Sequence, residues 1–100
     1  MLISSKSIIK RAQRGRYAVG AFNVYNIETL QAVMRAAEKL RSPIIIQTSE
    51  SAIKYAGLEA LSGIIKSSAL SAKIPVALHL DHGKSIKLIK NCLKAGYTSI

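Results

Sequence analysis

The sequence predicts a parallel α/β domain, and three observations lead there. Short β-branched runs alternate with stretches of helical spacing along the whole chain. Strand starts fall near residues 17, 44, 76 and 97, with room for a crossover helix between each pair. The run Ile44, Ile45, Ile46 lacks polar alternation, as expected of a strand covered on both faces. With right-handed crossovers the order becomes a helix followed by β-α-β-α-β-α-β. A doubly wound open sheet and the opening portion of an eight-stranded β/α barrel, which needs ~250 residues when complete, share that order.

Each element has a local cause. Ser5 to Arg14 reads as a helix with a serine N-cap, with Ile8, Ile9 and Ala12 on one side, and Gly15 ends it. Tyr17 to Val24 is a strand. Asn26 caps a helix from Ile27 to Arg41, in which Ile27, Leu30, Val33, Met34, Ala37 and Leu40 recur at helical spacing and Glu28 suits the first turn. Ser42 and Pro43 stop it. Ile44 to Gln47 forms the second strand and a polar loop follows. Leu58 to Leu70 reads as a helix despite Gly63 and several serines. Pro75 opens the third strand, Val76 to Leu80, where its missing N–H costs no ladder bond. Ser85 to Lys94 is the next helix, Gly96 is its stop, and Tyr97 to Ile100 begins a fourth strand. No linker or low-complexity stretch divides residues 1–100, so a single domain is expected.

Composition narrows the function classes. A chain of 100 residues buries roughly two-thirds of its unfolded surface. Its 49% hydrophobic and 20% charged content excludes disordered, collagen-like and disulfide-scaffold chains. No apolar run approaches the ~18 residues of a membrane span, and Met1 to Lys10 carries no signal-peptide core, so no membrane partner and a cytoplasmic location are expected. Cys92, the one cysteine, lies on the apolar side of its helix and reads as a small core residue.

The net charge of +10, from 15 Lys and Arg against 5 acids, suggests nucleic acid, membrane or phosphorylated metabolites as partners. Lys84, Lys87, Lys90 and Lys94 fall within roughly 120° of one helix face, opposite Ile86, Leu88, Ile89, Cys92 and Leu93. That is the solvated side of an ordinary amphipathic helix. No aromatic residues interleave with it to stack bases, and no RRM-like strand, zinc-finger spacing or helix-turn-helix is present, so no nucleic-acid partner is expected. A small basic nucleic-acid-binding module and a non-catalytic scaffold are the competing classes.

In parallel β/α folds active groups collect after the C-terminal ends of strands. Those positions are polar here: Asn23 and Asn26, then Gln47, Thr48, Ser49, Glu50 and Ser51, then Asp81, His82 and Gly83. Asp81 and His82 are the most informative pair, because an imidazole ligates zinc and an adjacent carboxylate carries protons once a cation is near. The same residues also suit a plain structural role, with Asp81 capping the next helix and His82 turning the chain. Gly83 leaves room for close backbone approach. His79 shares the strand parity of Asp81 and reads as an inward structural residue that orients the site. Ser49 and Ser51 precede a helix and suit either a phosphate-holding loop or an ordinary polar one, with Lys54 and Tyr55 nearby. Patterns for dinucleotide binding, P-loop hydrolysis, HExxH zinc sites and CxxC sites are absent.

The strings YAVGAFNVYN, RSPIIIQTSESAIKYAG, IPVALHLDHG and KAGYTSI, in this order and spacing, resemble the class II metal-dependent ketose-bisphosphate aldolases over essentially the whole chain. LHLDHG and AFNV are the most specific parts. The resemblance implies the N-terminal part of a (β/α)8 TIM barrel that cleaves a fructose or tagatose 1,6-bisphosphate to dihydroxyacetone phosphate and glyceraldehyde 3-phosphate, using Zn2+, usually as a homodimer or homotetramer. By position it assigns Asp81 as the catalytic proton carrier, His82 as the first zinc ligand, and Asn23 and Ser49 as substrate contacts. Ser51 departs from the family pattern by replacing a glycine, and Lys84 and Lys87 replace a small hydroxyl residue and an acid. The remaining zinc ligands and phosphate loops are not within these residues. A catalytic zinc takes about three protein ligands and His82 is one, so the expectation is an aldolase fragment that binds zinc weakly and is inactive alone.

Overall fold

In a computed structural model that describes all residues from Met1 to Ile100, the chain forms three parallel strands in the order β1-β2-β3, with helices at each crossover. The order of elements is α1 (Ser5–Gly15), β1 (Gly20–Asn23), α2 (Ile27–Lys39), β2 (Ile44–Ser49), α3 (Glu50–Ala56), α4 (Leu58–Ser71), β3 (Val76–Asp81) and α5 (Ile86–Lys94). Parallel pairing sets Gly20 beside Ile44 and Ile44 beside Val76, so the strands advance in step. No helix is long and apolar enough to cross a membrane.

Period-two alternation divides the sheet into two faces. Ile44, Ile46 and Thr48 of β2, with Val76, Leu78 and Leu80 of β3, are buried among Leu30, Met34 and Ala37 of α2, Leu61, Ile65 and Ala69 of α4, and Cys92. Ile45, Gln47 and Ser49 are only half-buried, as are His79 and Asp81. The second face is covered only in part: Ala77, beside Ile45 on the next strand, is fully buried and α1 packs against β3, while Ile45 itself is half-buried, so the expected cover on both faces holds incompletely. The other face lines the concave side of the arc.

Most elements fall where the spacing places them, and the departures have physical reasons. Tyr17 to Val19 precede the first strand, since only Gly20 to Asn23 have a partner in β2. Arg16, rather than Gly15, takes the left-handed turn that ends α1, with φ 55°. The expected polar loop after β2 contains α3. Ser49 starts it by accepting the Ala52 N–H, and Ala52 and Ile53 anchor it in the core. Ile86 and Leu93, expected on the buried side of α5, are 67% and 52% exposed. Cys92 is fully buried, as its position on α5 predicts.

The fourth strand is reduced to a bridge between His79 and Ser99, with Thr98 N–H donating to the Leu78 carbonyl. Leu2 bridges Val76 at the other end of that β3 edge. The Met1 ammonium donates to the carbonyls of Ala69, Ala72 and Ile74, closing the end of α4. β1 keeps a free edge, all four of its residues being exposed.

Candidate active site

The strand register builds the site. Asn23, Gln47 and His79 lie on one rung across the three strands, and Ser49 and Asp81 share a later rung nearer the C-terminal tips. Residues at i and i+2 share a face, so Gln47 and Ser49 of β2 and His79 and Asp81 of β3 face the concave side together. A polar chain crosses this surface. Gln47 Nε2 donates to Asn23 Oδ1 at 3.1 Å, and Asn23 Nδ2 donates to Asp81 Oδ2 at 2.9 Å. Asn23 therefore reaches over β2 to fix the Asp81 carboxylate.

Asp81 Oδ1 lies 3.7 Å from His82 Nε2, too far for a hydrogen bond. The Asp81 side chain keeps 26% of its surface and the His82 imidazole 85%. His82 has φ 57°, a left-handed conformation that costs a non-glycine residue ~1 kcal/mol or more. The turn sends the imidazole out over the rim. Asp81 caps nothing: the cap of α5 is Ser85, whose Oγ accepts the Leu88 N–H at 3.1 Å. Of the two structural roles the sequence allowed, only the chain turn at His82 is observed.

Beside His82 opens a polar pocket lined by Ser49, Glu50, Ser51, Lys54, His82 and Lys84, with no apolar residue among them. Ser49 Oγ lies 3.0 Å from Ser51 Oγ while capping α3. Lys54 Nζ sits 2.9 Å from Glu50 Oε1. That hydrogen bond holds the Glu50 carboxyl below the usual carboxylate range, against burial, with Lys84 adding a smaller push the same way. Glu50 Oε2 is shielded and has no partner. Two lysines and two hydroxyls around one carboxylate leave the pocket suited to an anion.

All four residues named by the resemblance thus lie at the strand tips. Asn23 and Asp81 touch, and Ser49 and His82 line one pocket. Gln47, which orients Asn23, was visible only as a polar strand end; its parity with Ser49 was the available signal. At Gly83 a Cβ would meet Leu80 Cδ2 at 2.6 Å, so packing against Leu80 is one reason for a glycine there.

The residues present do not make up a zinc centre. No three His, Cys, Asp or Glu side chains come together. His82 is one imidazole with one neighbouring carboxylate, against the roughly three protein ligands of a catalytic zinc.

The family description "Fructose-bisphosphate aldolase class-II" matches residues 3–100. The chain belongs to the class II fructose-bisphosphate aldolase family. The fructose-bisphosphate aldolase of Thermus caldophilus is 43% identical over 100 residues, which are the whole of this chain and 32% of that protein. The 6-phospho-5-dehydro-2-deoxy-D-gluconate aldolase of Halalkalibacterium halodurans is 39% identical over 102 residues, covering 99% of this chain and 35% of that protein. The crystal structure of the YdjI aldolase from Escherichia coli K12 superposes with a TM-score of 0.92 at 35% identity, covering 97% of this chain and 37% of that one. The crystal structure of a "putative fructose-1,6-biphosphate aldolase" from Coccidioides immitis superposes at 0.87 with 36% identity, over 96% of this chain and 34% of that one. The three strands are therefore an arc of an aldolase β/α barrel, and the chain spans about a third of the length of the relatives it matches.

Proposed function

We propose that these residues supply the proton carrier, one metal ligand and part of the phosphate rim of an aldolase that reversibly cleaves a ketose 1,6-bisphosphate, of fructose or tagatose, to dihydroxyacetone phosphate and glyceraldehyde 3-phosphate. The observation that carries the reading is the Asn23 to Asp81 contact across the sheet. Cleavage next to a hydroxyl needs a base to take that hydroxyl proton, and a carboxylate fixed on one oxygen and open on the other is built for it. Asn23 occupies Asp81 Oδ2, leaving Oδ1 on the His82 side. The rim of Ser49, Ser51 and Lys84 is the anion-holding side. His82 is assigned to Zn2+, with the other donors contributed from outside these residues. A sugar phosphate as partner, a homodimer or homotetramer and a cytoplasmic location complete the reading.

Two assays test it. The purified chain, given zinc and fructose 1,6-bisphosphate, is expected to show no enzyme-like turnover, and turnover at such rates overturns the partial-site assignment. A chimera carrying this chain in place of the matching third of the Thermus caldophilus enzyme is expected to cleave the sugar. Asp81→Asn in that chimera then lowers kcat by about 10²- to 10⁴-fold, the scale of a lost acid–base group. An Asp81→Asn chimera as fast as its parent removes the assignment.

A further inference from the structure

His79 lies on the parity of Asp81 and on the rung of Asn23 and Gln47, yet the proposed reaction gives it no task. Its ring is held from one side. Nδ1 lies 2.8 Å from Ser99 Oγ, and Ser99 Oγ accepts the Ser5 hydroxyl at 2.7 Å. A serine hydroxyl owns one proton. Ser99 receives the Ser5 proton, and the one acceptor in reach of its own proton is Nδ1, so the hydroxyl spends both its roles when it donates to the ring. An accepting Nδ1 leaves the neutral ring protonated at Nε2. Nε2 has no partner in the molecule and is not shielded from solvent.

The tautomer decides what the concave face sees. With the proton on Nδ1, Nε2 would present a lone pair, which repels a carbonyl oxygen and can only accept from a hydroxyl. With the proton on Nε2 the ring is a donor and cannot bind a metal through that nitrogen. We infer that His79 is a substrate-positioning residue. It is an Nε2–H donor, fixed by the Ser5 and Ser99 hydroxyls, that serves a hydroxyl or carbonyl oxygen of a sugar phosphate over the Asn23 and Gln47 rung. The ligand rests on the aldolase reading; the tautomer does not. Ser5 belongs to α1 and Ser99 to the segment after α5, so elements distant in sequence set one ring's chemistry.

The test has two arms. Long-range 1H–15N spectra of the histidine-labelled chain, and of the chimera, are expected to show His79 as the Nε2–H tautomer alone, insensitive to added zinc, and Ser99→Ala to give a mixture. A mixed or Nδ1–H ring in the parent overturns the relay. In the chimera, His79→Gln keeps an N–H near the Nε2 position and should hold kcat/KM near the parent value. His79→Phe should lower it about ten-fold, mainly through KM. A His79→Phe chimera equal to its parent, or His79→Gln no better than His79→Phe, overturns the donor role. A chimera inactive with every residue intact overturns the aldolase reading and the sugar with it, while the spectra still decide the relay.

Discussion

Thr48 and Tyr97 place two hydroxyls 2.7 Å apart in the layer between sheet and helices, with Thr48 fully buried and Tyr97 4% exposed. Each satisfies the other, so removing one orphans its partner at a cost of ~1–3 kcal/mol. Tyr97→Phe is expected to lower the urea midpoint at pH 8 accordingly. Burial pushes the Tyr97 phenol up to about 12 from 10, which the Thr48 hydrogen bond only partly offsets. Its contribution is therefore complete below pH 10 and drains away as pH rises through 12. The parent should weaken over that window and Tyr97→Phe should weaken less; equal pH slopes would remove Tyr97 as the cause. Burial likewise raises the Cys92 thiol, so a thiol reagent should modify it at the rate of unfolding, whereas rapid labelling of the folded chain would contradict the packing of α5. The contact between the two hydroxyls was not legible in the sequence. Thr48 stood among polar strand-end residues, and nothing local pairs it with a tyrosine 49 positions later.

Among the elements, α5 and the turn before it hold the candidate site most directly. Ser85→Ala removes the N-cap of α5 and should cost ~1 kcal/mol in thermal or urea unfolding. Gly83→Ala acts differently, because the new methyl meets Leu80 Cδ2 at 2.6 Å and Leu80 is 1% exposed, with nowhere to move. Overpacking predicts ~1–3 kcal/mol, together with a displaced His82 turn. If Gly83→Ala unfolds at the parent midpoint, the turn is looser than its packing implies. Caps and spacing made α2 readable, since Asn26 acts as the cap in the molecule as in the pattern; α5 was readable from its spacing alone, its cap being Ser85, read as the first helical residue, and not Asp81. α3 was not readable as a helix because Ser49, Glu50 and Ser51 look like loop chemistry. They are an N-cap and first turn, and Ala52, Ile53 and Ala56 were the only helical signal. Site residues on strands could be found from period-two parity, which ties Asp81 to His79 and Ser49 to Gln47. The reach of Asn23 over β2 could not, because it depends on side-chain length across two strand spacings.

Across the whole molecule two tendencies oppose each other. The free edge of β1 offers unpaired backbone groups, and beside it a groove of about 440 Å³ between β1 and α2 is lined mainly by apolar residues that include Phe22, Val33 and Leu40. Phe22 is 48% and Leu40 73% exposed, which favours association through this edge. Against it stands a charge of +10 on a body with a radius of gyration of 12.8 Å. Ionic strength decides between them. At 0.01 M salt the screening length is ~30 Å, longer than the molecule's radius, so two copies repel before their edges meet; at 0.15 M it is ~8 Å and the repulsion is confined to close contact. The isolated chain is therefore expected to sediment as a monomer in low salt and to associate as salt is raised. Phe22→Lys, which places a charge on the open edge, should hold it monomeric in both. Association that weakens with salt would point to ion pairing instead, and association undiminished by Phe22→Lys would place the contact elsewhere on the surface.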